Sequence, residues 1–157
     1  MGTRSAEIIE VNYTTGQKVK TLLHGHFQGT AKAELWGCAV HPKEQIFASC
    51  GGDQTIRTWK ENVMIAASEQ FTHDLTAVDW SSNGAFIVVG DRNGTIHLVD
   101  PTTLANLGSI PGTNANLKEP WVEDLKISPD CTTVVFGTHA GRSKIEIVKV
   151  LENGKKL

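Results

Sequence analysis

The sequence predicts an all-β fold, and three observations support this prediction. Helical periodicity is weak along the whole chain, so no amphipathic helix is expected. Short β-branched or apolar runs recur instead, and each is followed by Gly, Asn, Asp or Pro. These runs come in groups spaced roughly 40 to 47 residues apart, which is the period of four-stranded propeller blades. The sequence therefore predicts antiparallel hairpins arranged in series.

The predicted strands follow in chain order. Two lie before residue 24, EIIEV and KVKTLL, on either side of the turn NYTTGQ. A first group then reads ELWGCAV, IFASC and TIRTW, and a second group reads LTAVDW, FIVVG and TIHLVD. A third group reads WVEDLKI, TTVVFG and KIEIVKV. Pro101, Pro111 and Pro120 fall between these runs, where a missing backbone donor does no harm.

The three groups repeat one another. Aligned on the turn after each first strand, HPKEQIFASCGGDQTIRTW, SSNGAFIVVGDRNGTIHLV and SPDCTTVVFGTHAGRSKIEIV come into register. The predicted organisation places the outer strands of a preceding blade in residues 1–23 and a first blade in residues 24–70. A second, degenerate blade follows in residues 71–109, and a third, degenerate and incomplete, in residues 110–157. About three blades are fewer than a closed ring needs. We therefore expect a segment of a longer propeller, which self-associates through open edges.

Composition and charge exclude several classes of function. The 157 residues are 39% hydrophobic and carry a formal net charge of −2. Nucleic-acid binding and anionic-membrane binding are excluded as dominant functions, because both need a basic footprint. No apolar stretch approaches the ~18 residues of a membrane span. The N-terminus lacks the apolar core of a signal peptide, and Cys38, Cys50 and Cys131 form no CxxC pair. The sequence thus predicts a cytoplasmic protein with reduced thiols.

Particular residues resemble a WD repeat. Gly25-His26, His41-Pro42 and the segments ASCGGD and TIRTW match that pattern, although the WD dipeptide itself is altered to Trp59-Lys60. Longer stretches resemble the echinoderm microtubule-associated protein-like family, whose members carry tandem, atypical WD propellers: GTRSAEIIEV, GHFQGTAKAELWGCAVHP, VVGDRNGTIHLVD and WVEDLKISPD. This resemblance implies a cytoskeletal, non-enzymatic protein that binds tubulin or microtubules and needs no cofactor.

The resemblance also implies a structural tetrad in the first blade: His26, Ser49, Asp53 and Trp59. In a WD repeat, the Asp accepts a hydrogen bond from the His, the His meets the Ser, and the Ser accepts from the Trp indole N–H. A buried network of this kind satisfies every polar group, at about 1 kcal/mol net per hydrogen bond. The second blade is expected to replace it by apolar packing at the corresponding positions, Val89, Asn93 and Val99.

Other chemistries are weaker alternatives. Ser, His and Asp also suggest a hydrolase, but Ser49 lies inside a predicted strand without the GxSxG elbow that exposes a nucleophile. One cluster of potential metal ligands has spacings that fit no structural zinc pattern: His24, His26, His41, Cys38 and Cys50. Acidic residues lie on or near first strands, with nothing to indicate a raised pKa: Asp74, Asp79, Glu123 and Asp124. We therefore expect no catalytic, metal-binding or cofactor-binding residue.

A partner-binding face is predicted on one side of the propeller, where loops before first strands and between second and third strands open. Its predicted residues are Glu34, Gly52, Arg92, Trp121 and His139. Arg and Trp are enriched at binding hot spots, and Trp36 and Trp80 are expected to pack between blades. The partner implied by the resemblance is tubulin or the microtubule. Docking in a ciliary or signalling complex is the alternative, because propellers host many functions on one architecture.

Overall fold

The computed structural model of the chain describes residues 7–22, 25–28, 31–61, 63–112, 120–139 and 144–149. Regular structure in these ranges consists of antiparallel β-strands, so the all-β prediction is confirmed. The described part of the chain contains no helix whose length and apolar character would allow it to cross a membrane.

Two short ladders come first. Strand β1 (Ile8–Val11) pairs with β2 (Lys18–Leu22), and β3 (Phe27–Gln28) pairs with β4 (Ala31–Lys32). The turn between β1 and β2 is closed by Asn12, whose side-chain oxygen accepts from the backbone N–H groups of Thr14 and Thr15 at 2.9 Å. This is the local bonding that makes Asn favourable in turns.

Three larger sheets follow. The first contains β5 (Leu35–Val40), β6 (Ile46–Gly51), β7 (Ile56–Lys60) and β8 (Val63–Ala67), side by side in that order. The second contains β9 (Leu75–Trp80), β10 (Ile87–Asp91), β11 (Thr95–Val99) and β12 (Asn106–Pro111). The third contains β13 (Val122–Ile127), β14 (Thr133–Thr138) and β15 (Lys144–Lys149).

The first strands of these sheets lie next to one another, since β9 contacts both β5 and β13. Each sheet therefore extends outward from an inner strand, as a blade does in a β-propeller. The structure is thus part of a propeller, with two complete four-stranded blades and the first three strands of a third. Residues 150–157, the end of the predicted third blade, lie outside the described residues.

Two apolar layers of the core lie on opposite faces of the second blade. Along β10, Ile87 and Val89 pack towards the first blade, whereas Val88 packs towards the third. This alternation follows the two-residue period of a strand. All three side chains are fully buried, which explains why this strand reads as an unbroken apolar run. Burial of each such side chain contributes roughly 1.5 to 3 kcal/mol.

Close backbone packing joins the second blade to the third. A Cβ atom placed on Gly90 would lie 2.5 to 2.9 Å from the side-chain carbons of Val122. Only glycine allows the two blades to approach so closely at this point. The Thr76 hydroxyl donates to the Val122 carbonyl at 2.6 Å across the same interface. The interface between the second and third blades is therefore held both by close packing and by a hydrogen bond.

Three details differ from the sequence predictions. Strand β12 runs to Pro111, two residues past the boundary predicted at residue 109, so Pro111 ends a strand rather than lying between runs. The edge position of β12 tolerates this proline, because its missing N–H would face outwards. Strands β8 and β12 were also not identified as runs in the sequence. The side chains of both strands are mostly exposed; β8 is an apolar run that the sequence analysis overlooked, whereas β12 has no regular apolar pattern.

Candidate functional site

The predicted tetrad comes together in the first blade. His26 precedes β3, Ser49 lies on β6, Asp53 lies in the turn after it, and Trp59 lies on β7. The His26 Nδ1 atom is 2.7 Å from Asp53 Oδ1, and its Nε2 atom is 2.8 Å from Ser49 Oγ. The Trp59 indole N–H donates to the same Ser49 Oγ at 2.8 Å. His26, Ser49 and Asp53 are completely buried.

One protonation pattern satisfies this chain of hydrogen bonds. An ionised Asp53 can only accept, so the proton of a neutral His26 lies on Nδ1. His26 Nε2 then accepts from the Ser49 hydroxyl, whose oxygen accepts from Trp59. Ser49 therefore has no access to a substrate, and its hydroxyl is already committed on both sides. The geometry is that of a structural network and not of a nucleophile, which needs an exposed oxygen.

Asp53 is the acceptor centre of the turn. Its Oδ1 atom also accepts from the Thr55 backbone N–H at 3.2 Å and from the Thr55 hydroxyl at 3.0 Å. The guanidinium of Arg57 donates to Oδ2 at 2.7 Å. Burial raises the pKa of Asp53, but the hydrogen bonds from His26 and Thr55 and the positive charge of Arg57 outweigh this effect. The net result is a pKa below the ordinary value of 3.8, so Asp53 is ionised at neutral pH.

The second blade has a polar network that the alignment of the three blades did not predict. Val89 and Val99 are fully buried, as the expected apolar packing requires. However, Asp91, two residues before the predicted position Asn93, accepts from the backbone N–H groups of Asn93 and Thr95 at 2.8 Å. The expectation that apolar packing alone replaces the tetrad was therefore wrong.

A histidine extends this second network to the edge of the blade. His97 Nε2 lies 3.0 Å from Asp91 Oδ2, and His97 Nδ1 lies 2.8 Å from the Ser109 hydroxyl on β12. The network faces a cavity of about 580 Å³ whose lining also includes Phe71 and His73. It links β10, β11 and β12, and thus performs in the second blade what the tetrad performs in the first. The sequence signal was the Asp-x-Asn-Gly-Thr turn at residues 91–95.

The potential metal ligands do not form a site in the described residues. No group of three or more His, Cys, Asp or Glu side chains there could hold a metal ion. His26 belongs to the tetrad, and His24 lies outside the described residues. His41 packs edge-on against Trp80 at 4.7 Å, and its Nδ1 atom accepts from the backbone of Glu44. Burial raises the pKa of the Cys50 thiol, which disfavours the thiolate that binds metals.

The acidic residues also have separate roles. Asp79 lies 3.4 Å from Lys126 and accepts from the Ile127 backbone N–H at 2.9 Å, so it ties the second blade to the third. Asp124 accepts from the backbone N–H of Leu125 at 2.9 Å. Asp74 pairs with Arg92, and Glu123 contacts His139, at the end of the propeller where the inner strands begin.

The same backbone hydrogen bond occurs in each of the three blades at that end of the propeller. In each blade, the residue after the second strand donates its backbone N–H to the carbonyl of the residue before the first strand. The three bonds run from Gly52 to Glu34 at 2.8 Å, from Arg92 to Asp74 at 2.8 Å and from His139 to Trp121 at 3.0 Å. All five predicted face residues occupy these positions, and Asp74 is the sixth.

Side-chain contacts connect these positions across the second and third blades. The Arg92 guanidinium lies 4.8 Å from the Trp121 ring centre and 3.3 Å from Asp74 Oδ2. The Trp121 indole N–H donates to Glu123 at 2.9 Å, and His139 Nδ1 lies 2.6 Å from the same carboxylate oxygen. The Arg92 guanidinium thus contacts both the Trp121 ring and the Asp74 carboxylate.

Trp36 adds an aromatic residue that the prediction placed between blades. Its ring centre lies 6.4 Å from that of Trp121, and 39% of the residue is exposed. Trp80, by contrast, is buried as expected. We call the combined surface the upper face: Glu34, Trp36, Gly52, Asp74, Arg92, Trp121, Glu123 and His139. It is a continuous surface of aromatic and charged groups.

Comparisons with known proteins agree with this architecture. Residues 16–60 and 67–100, together half of the chain, match the family described as WD domain, G-beta repeat. F-box-like/WD repeat-containing protein TBL1X of Homo sapiens is 28% identical over 146 residues, covering 79% of this chain and 24% of that protein. Echinoderm microtubule-associated protein-like 3 of Mus musculus is 28% identical over 107 residues, covering 68% of this chain and 11% of that protein.

A further relative comes from an insect. Probable cytosolic iron-sulfur protein assembly protein Ciao1 of Culex quinquefasciatus is 29% identical over 84 residues, covering 50% of this chain and 23% of that protein. The chain thus spans about a quarter or less of the length of each relative named here. These three relatives carry different names, and the feature that they share with this chain is the WD repeat. With the family match, the propeller blades and the buried His-Ser-Asp-Trp tetrad, the chain belongs to the WD40 repeat family.

Proposed function

We propose that the chain is a non-enzymatic docking scaffold that binds tubulin or microtubules through the upper face. WD repeats imply interaction with other proteins, and the echinoderm microtubule-associated protein-like relatives suggest this particular partner. The proposed location is the cytoplasm, at the cytoskeleton. The observation that supports the proposal best is the stack of Arg92 on Trp121, because these two residue types are enriched at binding hot spots.

The charge of the chain limits how such a contact is made. The microtubule surface is acidic, and a protein that binds it by charge alone carries a strong positive field. This chain has a formal net charge of −2. We therefore propose a shape-specific contact that depends only weakly on salt.

Co-sedimentation with taxol-stabilised microtubules, and co-elution with free tubulin, test this proposal. The double variant Arg92→Ala, Trp121→Ala should lose at least about tenfold in affinity, because two hot-spot side chains are removed. The control is Lys43→Ala, an exposed change in the turn between β5 and β6, at the other end of the blade. Equal binding by both variants would show that the upper face is not the binding surface. Binding that collapses between 50 and 200 mM salt would contradict a shape-specific contact.

A different protein complex is the second candidate partner. It is favoured by the relative TBL1X, whose alignment covers more of this chain than that of the microtubule-associated relative, 79% against 68%. Affinity purification from extracts depleted of tubulin, with the double variant and the Lys43→Ala control, tests this second candidate. A partner retained by the Lys43→Ala variant and lost by the double variant would use the upper face without tubulin.

We also propose that the chain self-associates. On β15, Ile145 and Ile147 are 78% and 68% exposed and point to the same side of the strand. On the edge strand β8, Val63 and Ile65 are 67% and 53% exposed. Light scattering over a concentration series should show oligomers, and Ile147→Ser should reduce them. A monomer at all concentrations would contradict this proposal.

A further inference from the structure

The outer strand β8 has an unprotected edge. Among the described strands it pairs with β7 alone, so its other side carries backbone N–H and C=O groups that are available to a further strand. Its sequence, VMIAA, includes no charged residue, glycine or proline. The side chains of Val63, Met64 and Ile65 are all exposed. The residue types that discourage pairing at an edge are therefore missing from β8.

The outer strands β2 and β12 contain such residues. The sequence of β2 is KVKTL, with Lys18 and Lys20. The sequence of β12 is NLGSIP, with Gly108 and with Pro111, which has no N–H to donate. All three strands lie in ladders with a register irregularity, so a bulge does not distinguish β8. The difference lies in residue type, and an edge left open in this way recruits a further strand.

Two open carboxylates flank this edge. Glu61 lies two residues before β8 and Glu69 lies two residues after it, and both are exposed. Within the described residues neither carboxylate forms an ion pair or accepts a hydrogen bond, and the neighbouring Lys60 forms no ion pair there either. A strand added to β8 therefore meets negative charge at both ends.

This charge pattern disfavours a second copy of the chain as the occupant of β8. Antiparallel pairing of two β8 strands brings Glu61 of one copy towards Glu69 of the other, and parallel pairing brings each glutamate towards its counterpart. Like charges facing each other across a strand pair oppose association. The proposed self-association is therefore assigned to β15.

We propose that β8 receives an extended apolar segment of a partner protein, flanked at each end by lysine or arginine, as an additional strand of the first blade. Main-chain hydrogen bonds along β8 supply affinity, as in other cases of strand addition. Salt bridges to Glu61 and Glu69 favour basic flanks, and basic residues at both ends satisfy both carboxylates in either strand direction. The site is separate from the upper face, because β8 is the outer strand of its blade.

Fluorescence anisotropy with labelled peptides tests this site. The probe is the peptide Lys-Thr-Val-Thr-Val-Thr-Val-Lys, and the matched peptide has glutamate at both ends. A third peptide keeps the lysines but is N-methylated at all central residues, so it has the same side chains without the N–H donors. We expect the probe to bind at least about fivefold more tightly than the glutamate peptide and at least about tenfold more tightly than the methylated one. Equal affinities in either comparison would overturn the proposal.

A substitution on β8 locates the binding. Ile65→Lys introduces the residue type that protects β2 and should lower the affinity for the probe at least about tenfold. Val19→Lys is the matched control, because Val19 is also exposed and is also the extra residue of a register irregularity in an outer strand. It should change the affinity less than about twofold. Equal affinities of these two variants would show that β8 is not the site.

Light scattering distinguishes the proposed partner from a second copy. Ile147→Ser should reduce the oligomers and leave peptide affinity unchanged, whereas Ile65→Lys should leave the oligomers as they are. Oligomers that are dispersed by Ile65→Lys and not by Ile147→Ser would make a second copy the occupant of β8 and overturn the proposal. The Arg92→Ala, Trp121→Ala variant should bind the probe like wild type, so failure of upper-face docking is distinguishable from failure of this inference.

Discussion

Replacing Asp53 by alanine tests how much the tetrad stabilises the first blade. The change removes the acceptor of two groups that are shielded from water, the His26 Nδ1–H and the Thr55 backbone N–H. His26 is completely buried, and Thr55 is 9% exposed. Arg57 also loses its partner, but its side chain is 16% exposed and can turn to water.

The expected loss follows from these contacts. Each buried donor left without a partner costs about 1 to 3 kcal/mol, and the carboxylate itself no longer has to be desolvated, which offsets part of the total. We therefore expect Asp53→Ala to lower the free energy of unfolding by about 2 to 4 kcal/mol. For a domain of this size, each kcal/mol corresponds to about 2 to 4 °C in Tm.

Urea unfolding followed by tryptophan fluorescence measures this loss. Glu44→Ala is the matched control, because it removes an exposed carboxylate in a turn and should leave stability within about 0.5 kcal/mol of wild type. A second variant, Ser49→Ala, tests whether the network acts as a unit. Both residues bind His26, so their effects should couple by about 0.5 to 3 kcal/mol in the double variant. Equal stability of Asp53→Ala and Glu44→Ala would refute the reasoning.

The pH dependence gives an independent check. The pKa of Asp53 is lowered in the folded protein, so the unfolded chain binds a proton at higher pH than the folded chain does. The stabilisation is complete above the ordinary value of 3.8 and is lost as pH falls through the lower, folded pKa. The stability difference between wild type and Asp53→Ala should therefore narrow in this acidic window. A difference that stays constant down to about pH 2 would contradict the linkage.

Two further predictions concern the second blade. Gly90→Ala places a methyl group 2.5 Å from Val122 and should destabilise the protein by about 1 to 3 kcal/mol. Its control is Gly137→Ala, whose new Cβ would have no atom within 4 Å and which should cost less than about 1 kcal/mol. Thermal unfolding compares them, and equal Tm values would contradict the close approach of the blades. Asp91→Ala should cost about 2 to 4 kcal/mol, like Asp53→Ala, because it leaves the buried His97 and the Thr95 N–H without an acceptor. Ser109→Ala, which affects an exposed hydroxyl, should cost less than Asp91→Ala in the same assay, and the reverse order would show that the second network is not structural.

The sequence was most informative where burial imposes a pattern. Strands such as β9 and β10 are buried on both faces, so their apolar runs predicted them to within a residue. The outer strands β8 and β12 are mostly exposed. The apolar run of β8 was overlooked, whereas the position of β12 follows from the four-stranded repeat and not from its own side chains.

The residues of the candidate site also differ in how far the sequence predicts them. The tetrad was predicted because its residue types recur at fixed spacing in WD repeats. The His97 network escaped prediction because Ser109 is brought to His97 by the pairing of β11 with β12, which no local spacing reveals. Trp36 was misplaced for a related reason. The bulge between Leu35 and Gly37 interrupts the simple alternation that would have assigned its side.

The three backbone bonds between the ends of neighbouring strands, Gly52 to Glu34, Arg92 to Asp74 and His139 to Trp121, use only main-chain atoms. The geometry at those positions is therefore independent of which side chains occupy them. Residues there can change without altering the fold, as the glycine, arginine and histidine already show. On the proposed docking face, the main chain thus fixes the six positions, and the residues that occupy them are free to differ in size and charge. Transplanting the Asp74–Arg92 pair into the first blade should therefore change the choice of partner while leaving the unfolding transition nearly where it was.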